Sequence, residues 1–228
     1  MSRSLALAAM IALTLMVADQ AAAQVRASSF SNGGVARASA SGRGNTNISA
    51  HAVATNGGYA NARMTGDGRY GGYATGTAIA AADGGTAIAR GNSSARGWGA
   101  RSDSNAIAAT QGGYAAAYDN ARARGNAFAG STSAAFSTGG VAIARGGANA
   151  SGYFGGYGEA INSSTAVSNG GFAVSRSQAN ATGVFGGQAY STSAGVAIAN
   201  GNFRSADVQS DAVAIWGVSE SDASQISW

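Results

Sequence analysis

The chain has 228 residues, 36 of them glycine, with no proline and no cysteine; all 14 of its basic residues are arginine, set against 10 acids for a net charge of +4. Without cysteine no disulfide can compensate for a thin core and no thiol nucleophile is present, and with His51 as the single histidine the groups for a histidine-dependent nucleophile or a zinc site are nearly absent, so His51 is read as a structural or solvated residue. A chain without proline keeps every backbone N–H available as a ladder donor, which favours extensive backbone pairing.

Residues 1–23 read as an export signal: Arg3 gives a positive start, residues 5–17 are apolar, and Ala21-Ala22-Ala23 offers small residues for cleavage. The apolar run is shorter than the roughly 20 residues of a spanning helix. The mature chain is therefore expected to begin near Gln24, to carry no transmembrane segment, and to be secreted or held at the cell surface. Residues 24–56 form an irregular first segment, in which GGVARASASG at 33–42 is an early copy of the unit that recurs from residue 57 onward.

From 57 to 200 the chain repeats. Glycine pairs begin at 57, 71, 84, 112, 139, 155, 170 and 186, a spacing of roughly 14 that doubles twice, and degraded units fill the two long gaps at 98–111 and 125–138. Within a unit a glycine pair and one larger residue lead into alternating alanine, as in GGYANARM, GGTAIARG and GGVAIARG. Alternation is strand periodicity, and so much glycine disfavours helix. Such a unit buries nothing alone and must stack, which predicts an all-β β-solenoid or β-roll with coils of about 14 residues, roughly a dozen in number. The uniform alanine parity (Ala36/Ala38/Ala40, Ala60/Ala62, Ala142/Ala144) is assigned inward, because a cramped interior tolerates little variation in volume. The opposite assignment, with Val, Ile and Tyr inside, is the competing one.

Residues 201–228 change character. From 24 to 200 twelve arginines face five acids, whereas from 201 onward Arg204 faces Asp207, Asp211, Glu220 and Asp222. This acidic segment is read as a cap that stops open-ended stacking, with a docking tail as the alternative. A basic body suits a polyanionic surface or polysaccharide, or contact between copies. No sequence-specific nucleic-acid partner is expected.

The slot after a glycine pair holds Tyr59, Tyr73, Tyr114, Val141, Tyr157 and Phe172, and Arg63, Arg90, Arg145 and Arg176 follow within the units. In-register stacking is expected to align these residues as one contact ladder, or as cross-coil pairs that only stabilise the sheet. Asp67, Asp83, Asp103, Asp119 and Glu159 stand beside Gly, Asn or Ser and are explained by turn hydrogen bonding rather than catalysis. No catalytic, cofactor or metal residues are assigned, and the chain is not expected to be an enzyme.

Units such as GGVAIARGGANASG (139–152) and GGTAIARGNSSARG (84–97) resemble the repeats of about 14 residues in the heads of trimeric autotransporter adhesins. The resemblance covers 57–200 and implies a parallel β-roll, trimeric association and an adhesive role; residues 201–228 carry neither that family's heptad stalk nor its anchor strands. The exported, repetitive, proline-free composition also resembles curli-type amyloid subunits, which rely on stacked Gln and Asn; Gln111, Gln178, Gln188, Gln209 and Gln225 are read as out of register for that. The functional expectation is an exported, non-catalytic structural or adhesive protein acting by multivalent contact. The alternatives are a self-assembling extracellular fibre or matrix subunit, or a disordered low-complexity secretion.

Overall fold

A computed structural model describes residues 23–70, 72–154, 156–200 and 203–227. The expected leader thus lies, apart from Ala23, outside the described residues. In chain order the strands are β1 (Ala23–Asn32), β2 (Val35–Arg43), β3 (Thr46–Thr55), β4 (Tyr59–Gly68), β5 (Tyr73–Asp83), β6 (Thr86–Arg96), β7 (Arg101–Gln111) and β8 (Tyr114–Arg124). They continue as β9 (Ala127–Thr138), β10 (Val141–Gly152), β11 (Tyr157–Asn169), β12 (Phe172–Gly183), β13 (Gln188–Asn200), β14 (Phe203–Ala214) and β15 (Val218–Ser227).

Odd-numbered strands form one eight-stranded sheet and even-numbered strands a seven-stranded one, each in sequence order and each parallel throughout. The chain is therefore a β-solenoid of about seven turns with a repeat of about 28 residues. The sequence unit of roughly 14 residues is one strand and one corner, half of a turn, because its strands are too long for two to fit within it. The rod is correspondingly shorter than a dozen coils would make it, about 35 Å at a strand spacing near 4.8 Å. The degraded units at 98–111 and 125–138 supply β7 and β9. The acidic C-terminal segment supplies β14 and β15, which extend both sheets in register.

Two kinds of corner alternate. Those leading from the odd to the even sheet, from β1–β2 to β11–β12, carry a glycine pair whose first member has positive φ, from 66° at Gly112 to 85° at Gly170, a region that costs any residue with a Cβ. The second member sits under the turn before it: at Gly58 a Cβ would come 2.5 Å from the Gly34 carbonyl oxygen. Of the corners leading back, those after β4, β10, β12 and β14 carry Tyr70, Phe154, Phe185 and Trp216 at φ 53–58°, a strained conformation for aromatic side chains, whereas those after β2, β6 and β8 place Gly44, Gly97 and Gly125 at positive φ.

Alanine parity faces inward from β2 to β13, with Ala36, Ala60, Ala87, Ala115, Ala142 and Ala173 all fully buried. Two alanine clusters flank the interior, one beside each line of corners. Between them lie hydrogen-bonded polar groups, including Ser93 with Ser102 (2.7 Å), Asn162 with Ser177 (2.8 Å) and Ser177 with Ser193 (2.8 Å). Interior width is fixed by alanine, so larger inward residues face glycine: a Cβ on Gly76 would lie 2.6 Å from Met64 Sδ. Asn162 and Val208 occupy the space left by Gly146 and Gly195 in the same manner, while Asp119 fills that left by Gly91, its in-register neighbour on the same sheet.

Candidate functional site

Outward positions in register stack into columns that run along the rod. On the even sheet one column reads Arg63, Arg90, Tyr118, Arg145, Arg176 and Asp207. Tyr118 lies between two guanidinium groups, with Arg90 and Arg145 each 5.9 Å from its ring centre, within cation–π range. Four residues earlier along each strand, about 13 Å away at strand rise, runs a second column: Val35, Tyr59, Thr86, Tyr114, Val141, Phe172 and Phe203. The Tyr114 and Tyr118 hydroxyls, 3.4 Å apart, bridge the two columns. Partial burial and that hydrogen bond push the Tyr114 hydroxyl up to about 12, so it stays protonated at any ordinary pH.

The expected single ladder is thus corrected. Tyr59, Tyr114, Val141 and Phe172 share one column and Arg63, Arg90, Arg145 and Arg176 another, but Tyr73 and Tyr157 open strands of the odd sheet. Their glycine pairs belong to the other kind of corner, which places them across the rod. There Arg101 lies 4.9 Å over the Phe128 ring, Tyr157 stands 5.5 Å from Tyr190, and the Tyr157 hydroxyl donates to Glu159 at 2.7 Å. Burial and this bond to a carboxylate raise the Tyr157 pKa to about 12.

Charge divides between the faces. Outward positions of β2 to β12 in the even sheet carry arginines 37, 43, 63, 90, 96, 122, 124, 145 and 176 against Asp67, with Asp207 and Asp211 following on β14, whereas the odd strands carry Asp83, Asp103, Glu159, Glu220 and Asp222 against Arg26 and Arg101. The ion pairs among the described residues are Arg69–Asp67 at 3.1 Å and Arg101–Asp103 at 2.7 Å, so neither engages the Arg63–Arg176 column. Like charges directly opposite on neighbouring strands are destabilising, and the column keeps Arg63 beside Arg90 and Arg145 beside Arg176.

Several features were not singled out from sequence. Tyr118 occupies the same position in its unit as the arginines, and that shared slot was the available signal. Asp119 is corrected from a turn residue to a mid-strand residue of β8, 6% exposed. It accepts hydrogen bonds from Ser104 Oγ, from Ser131 Oγ at 3.0 Å and from the Thr132 N–H at 2.9 Å. Burial outweighs these bonds and raises its pKa to about 6. Gln178 and Gln209 stand in register, but the Gln209 amide donates to Asp211 at 2.7 Å; the amide contacts between neighbouring turns are Asn180 donating to Asn149 at 3.0 Å and Asn200 to Asn169 at 3.4 Å. His51 is half-buried on the outer face of β3, and desolvation, helped by Arg26, lowers its pKa. On the odd face a groove of about 360 Å3 is walled by Val53, Phe136 and Val167 over Ala81 and Ala109.

The chain matches no protein-family model, no curated protein and no solved structure. Among the described residues no group of His, Cys, Asp and Glu is arranged to hold a metal ion, and no helix is long and apolar enough to cross a membrane.

Proposed function

We propose that this chain is an exported, non-catalytic structural or adhesive protein that binds polyanionic surfaces by multivalent contact. The observation that carries it is the column Arg63–Arg90–Tyr118–Arg145–Arg176, which concentrates guanidinium groups at strand spacing, with Asp207 as the one acid in register at its end and none of the ion pairs among the described residues engaging it. A linear acidic polysaccharide lying along the rod would meet a charged or aromatic group about every 4.8 Å. Guanidinium groups pair bidentately with carboxylates and sulfates, and weak contacts repeated along one ligand add through effective concentration. The repeat-level resemblance to trimeric adhesin heads supports the adhesive role by analogy of the repeat alone.

Binding of the purified protein to an immobilised sulfated polysaccharide, with uncharged dextran as control, tests this across a salt series. Affinity should fall steeply with salt for the wild type, and the variant R63Q/R90Q/R145Q/R176Q should lose most of both affinity and salt dependence. Salt-insensitive binding, or a quadruple variant that binds like wild type, would overturn the proposal.

A second reading, a self-assembling extracellular fibre or matrix subunit, is favoured by one observation. β1 and β15 end one sheet and β2 and β14 the other, and among the described residues nothing covers these edges.

A further inference from the structure

The two ends of the rod differ in charge. The first turn, β1 and β2, presents Arg26, Arg37 and Arg43 outward and contains no acid; the last, β14 and β15, presents Asp207, Asp211, Glu220 and Asp222, with Arg204 as its one basic residue. Every residue of β15 is exposed, including Ser219, Ser221, Ala223 and Gln225, which pair with inward positions of β13. The inner side of β15 lacks the even-sheet strand that would lie above β14. At the other end β1 turns Val25, Ala27, Ser29 and Ser31 inward, side chains small enough for the alanine-width interior.

We infer that copies of this chain join head to tail through a charge-matched joint in which the next copy's β1 lies on β14 and its β2 on β15. This rests on the self-assembly reading and specifies its interface. The fifteen strands of the described residues make seven and a half turns, so β15 falls in the same sheet as β1. Placing β1 of the next copy on β15, odd sheet upon odd sheet, would leave one strand position above β14 empty. Rotating that copy by half a turn fills the position and keeps all strands parallel. It also covers the inner side of β15 with the inner side of β1. Arg26 then faces the edge that carries Asp207 and Asp211, and Arg37 and Arg43 face the edge that carries Glu220 and Asp222. The joint is heterologous and does not close, so it propagates as a filament. Each copy adds half a turn of rotation and about 36 Å of length at strand spacing.

Two charge-reversed variants, R26D/R37D/R43D and D207R/D211R/D222R, test the joint by sedimentation, with circular dichroism to establish that each retains sheet. The wild type should form linear assemblies whose imaged axial repeat is about 36 Å per copy. Each variant alone places like charges at its joint and should assemble at least about tenfold more weakly. An equimolar mixture should assemble again, because every joint between unlike variants pairs acid with base. Wild-type assembly should also weaken about tenfold in high salt, an outcome that needs no variant. A wild type that stays monomeric at all concentrations overturns both the joint and the fibre reading. A wild type that assembles while each variant assembles equally well, or whose variants fail to recover on mixing, overturns the joint and leaves the fibre reading standing.

Discussion

Gly113 lies directly over Gly85: the N–H of the next residue, Tyr114, donates to the Gly85 carbonyl at 3.1 Å, and a Cβ on Gly113 would collide with that same oxygen. Its neighbour Gly112 has φ of 66° with only ordinary space around it. The two glycines of one pair are therefore needed for different reasons. Gly112→Ala should cost about 1 kcal/mol, the left-handed penalty less the unfolded-state gain. Gly113→Ala should cost about 3 kcal/mol, since the obstacle is backbone held in a ladder. Urea denaturation of the two variants measures the difference, and equal losses would count against the distinction.

Met64 is fully buried in the space that Gly76 leaves. Gly76→Ala should destabilise by about 2 kcal/mol through overpacking, and Met64→Ala by about 2–3 kcal/mol through the cavity. The double variant should fall short of the sum by more than about 1 kcal/mol, because the new methyl occupies part of that cavity. Additive losses would show that the two sites do not share one volume.

Asp119, with a pKa raised to about 6 from 3.8, holds its proton more tightly in the folded chain than in the unfolded one. Its contribution is therefore full below pH 4, and stability declines as pH rises from about 4 to about 6, by about 3 kcal/mol in all. His51, whose pKa is lowered, acts in the opposite direction as pH rises toward 6.5, so the comparison must be made against Asp119→Asn. Chemical denaturation at pH 4 and pH 7 should show that Asp119→Asn removes the decline; an unchanged pH profile would contradict the buried-carboxyl account.

Arg63 stands beside Arg90, and like charges at neighbouring strand positions oppose folding. Arg63→Gln should raise stability by a few tenths of a kcal/mol at low salt, and the gain should vanish at high salt. The same substitution should weaken polyanion binding. A variant that loses stability would show that the column is structural.

Tyr70, at φ 58° and 98% exposed, carries backbone strain with its ring in solvent. Tyr70→Gly should stabilise the fold by about 0.5–1 kcal/mol, the left-handed penalty less the added freedom of the unfolded chain. Phe185 has a comparable φ of 56° but stacks on Phe154 at 5.5 Å and meets Trp216 at 6.1 Å. Phe185→Gly should give no such gain, and thermal melts of the two variants compare them.

The amino-acid sequence alone determined the strand periodicity, the inward alanine parity and the recurrence of corners. Those features depend on neighbours along the chain: an alternating Ala36, Ala38 and Ala40 commits one side of a strand to a narrow space, and a glycine pair releases the backbone to turn. The candidate arginines were legible for the same reason, since Arg63, Arg90, Arg145 and Arg176 share a slot within their units. Only the tertiary structure decided which units stack on which. Glycine pairs at 57, 84, 112, 139 and 170 turn one line of corners, while 71, 155 and 186 fall in the other, and a doublet reads the same in either place. That assignment separated Tyr73 and Tyr157 from the arginine column, brought Tyr118 into it, and buried Asp119 beside Gly91. Register between strands some 28 residues apart is set by closure of the whole turn, a distance over which local pattern carries no information.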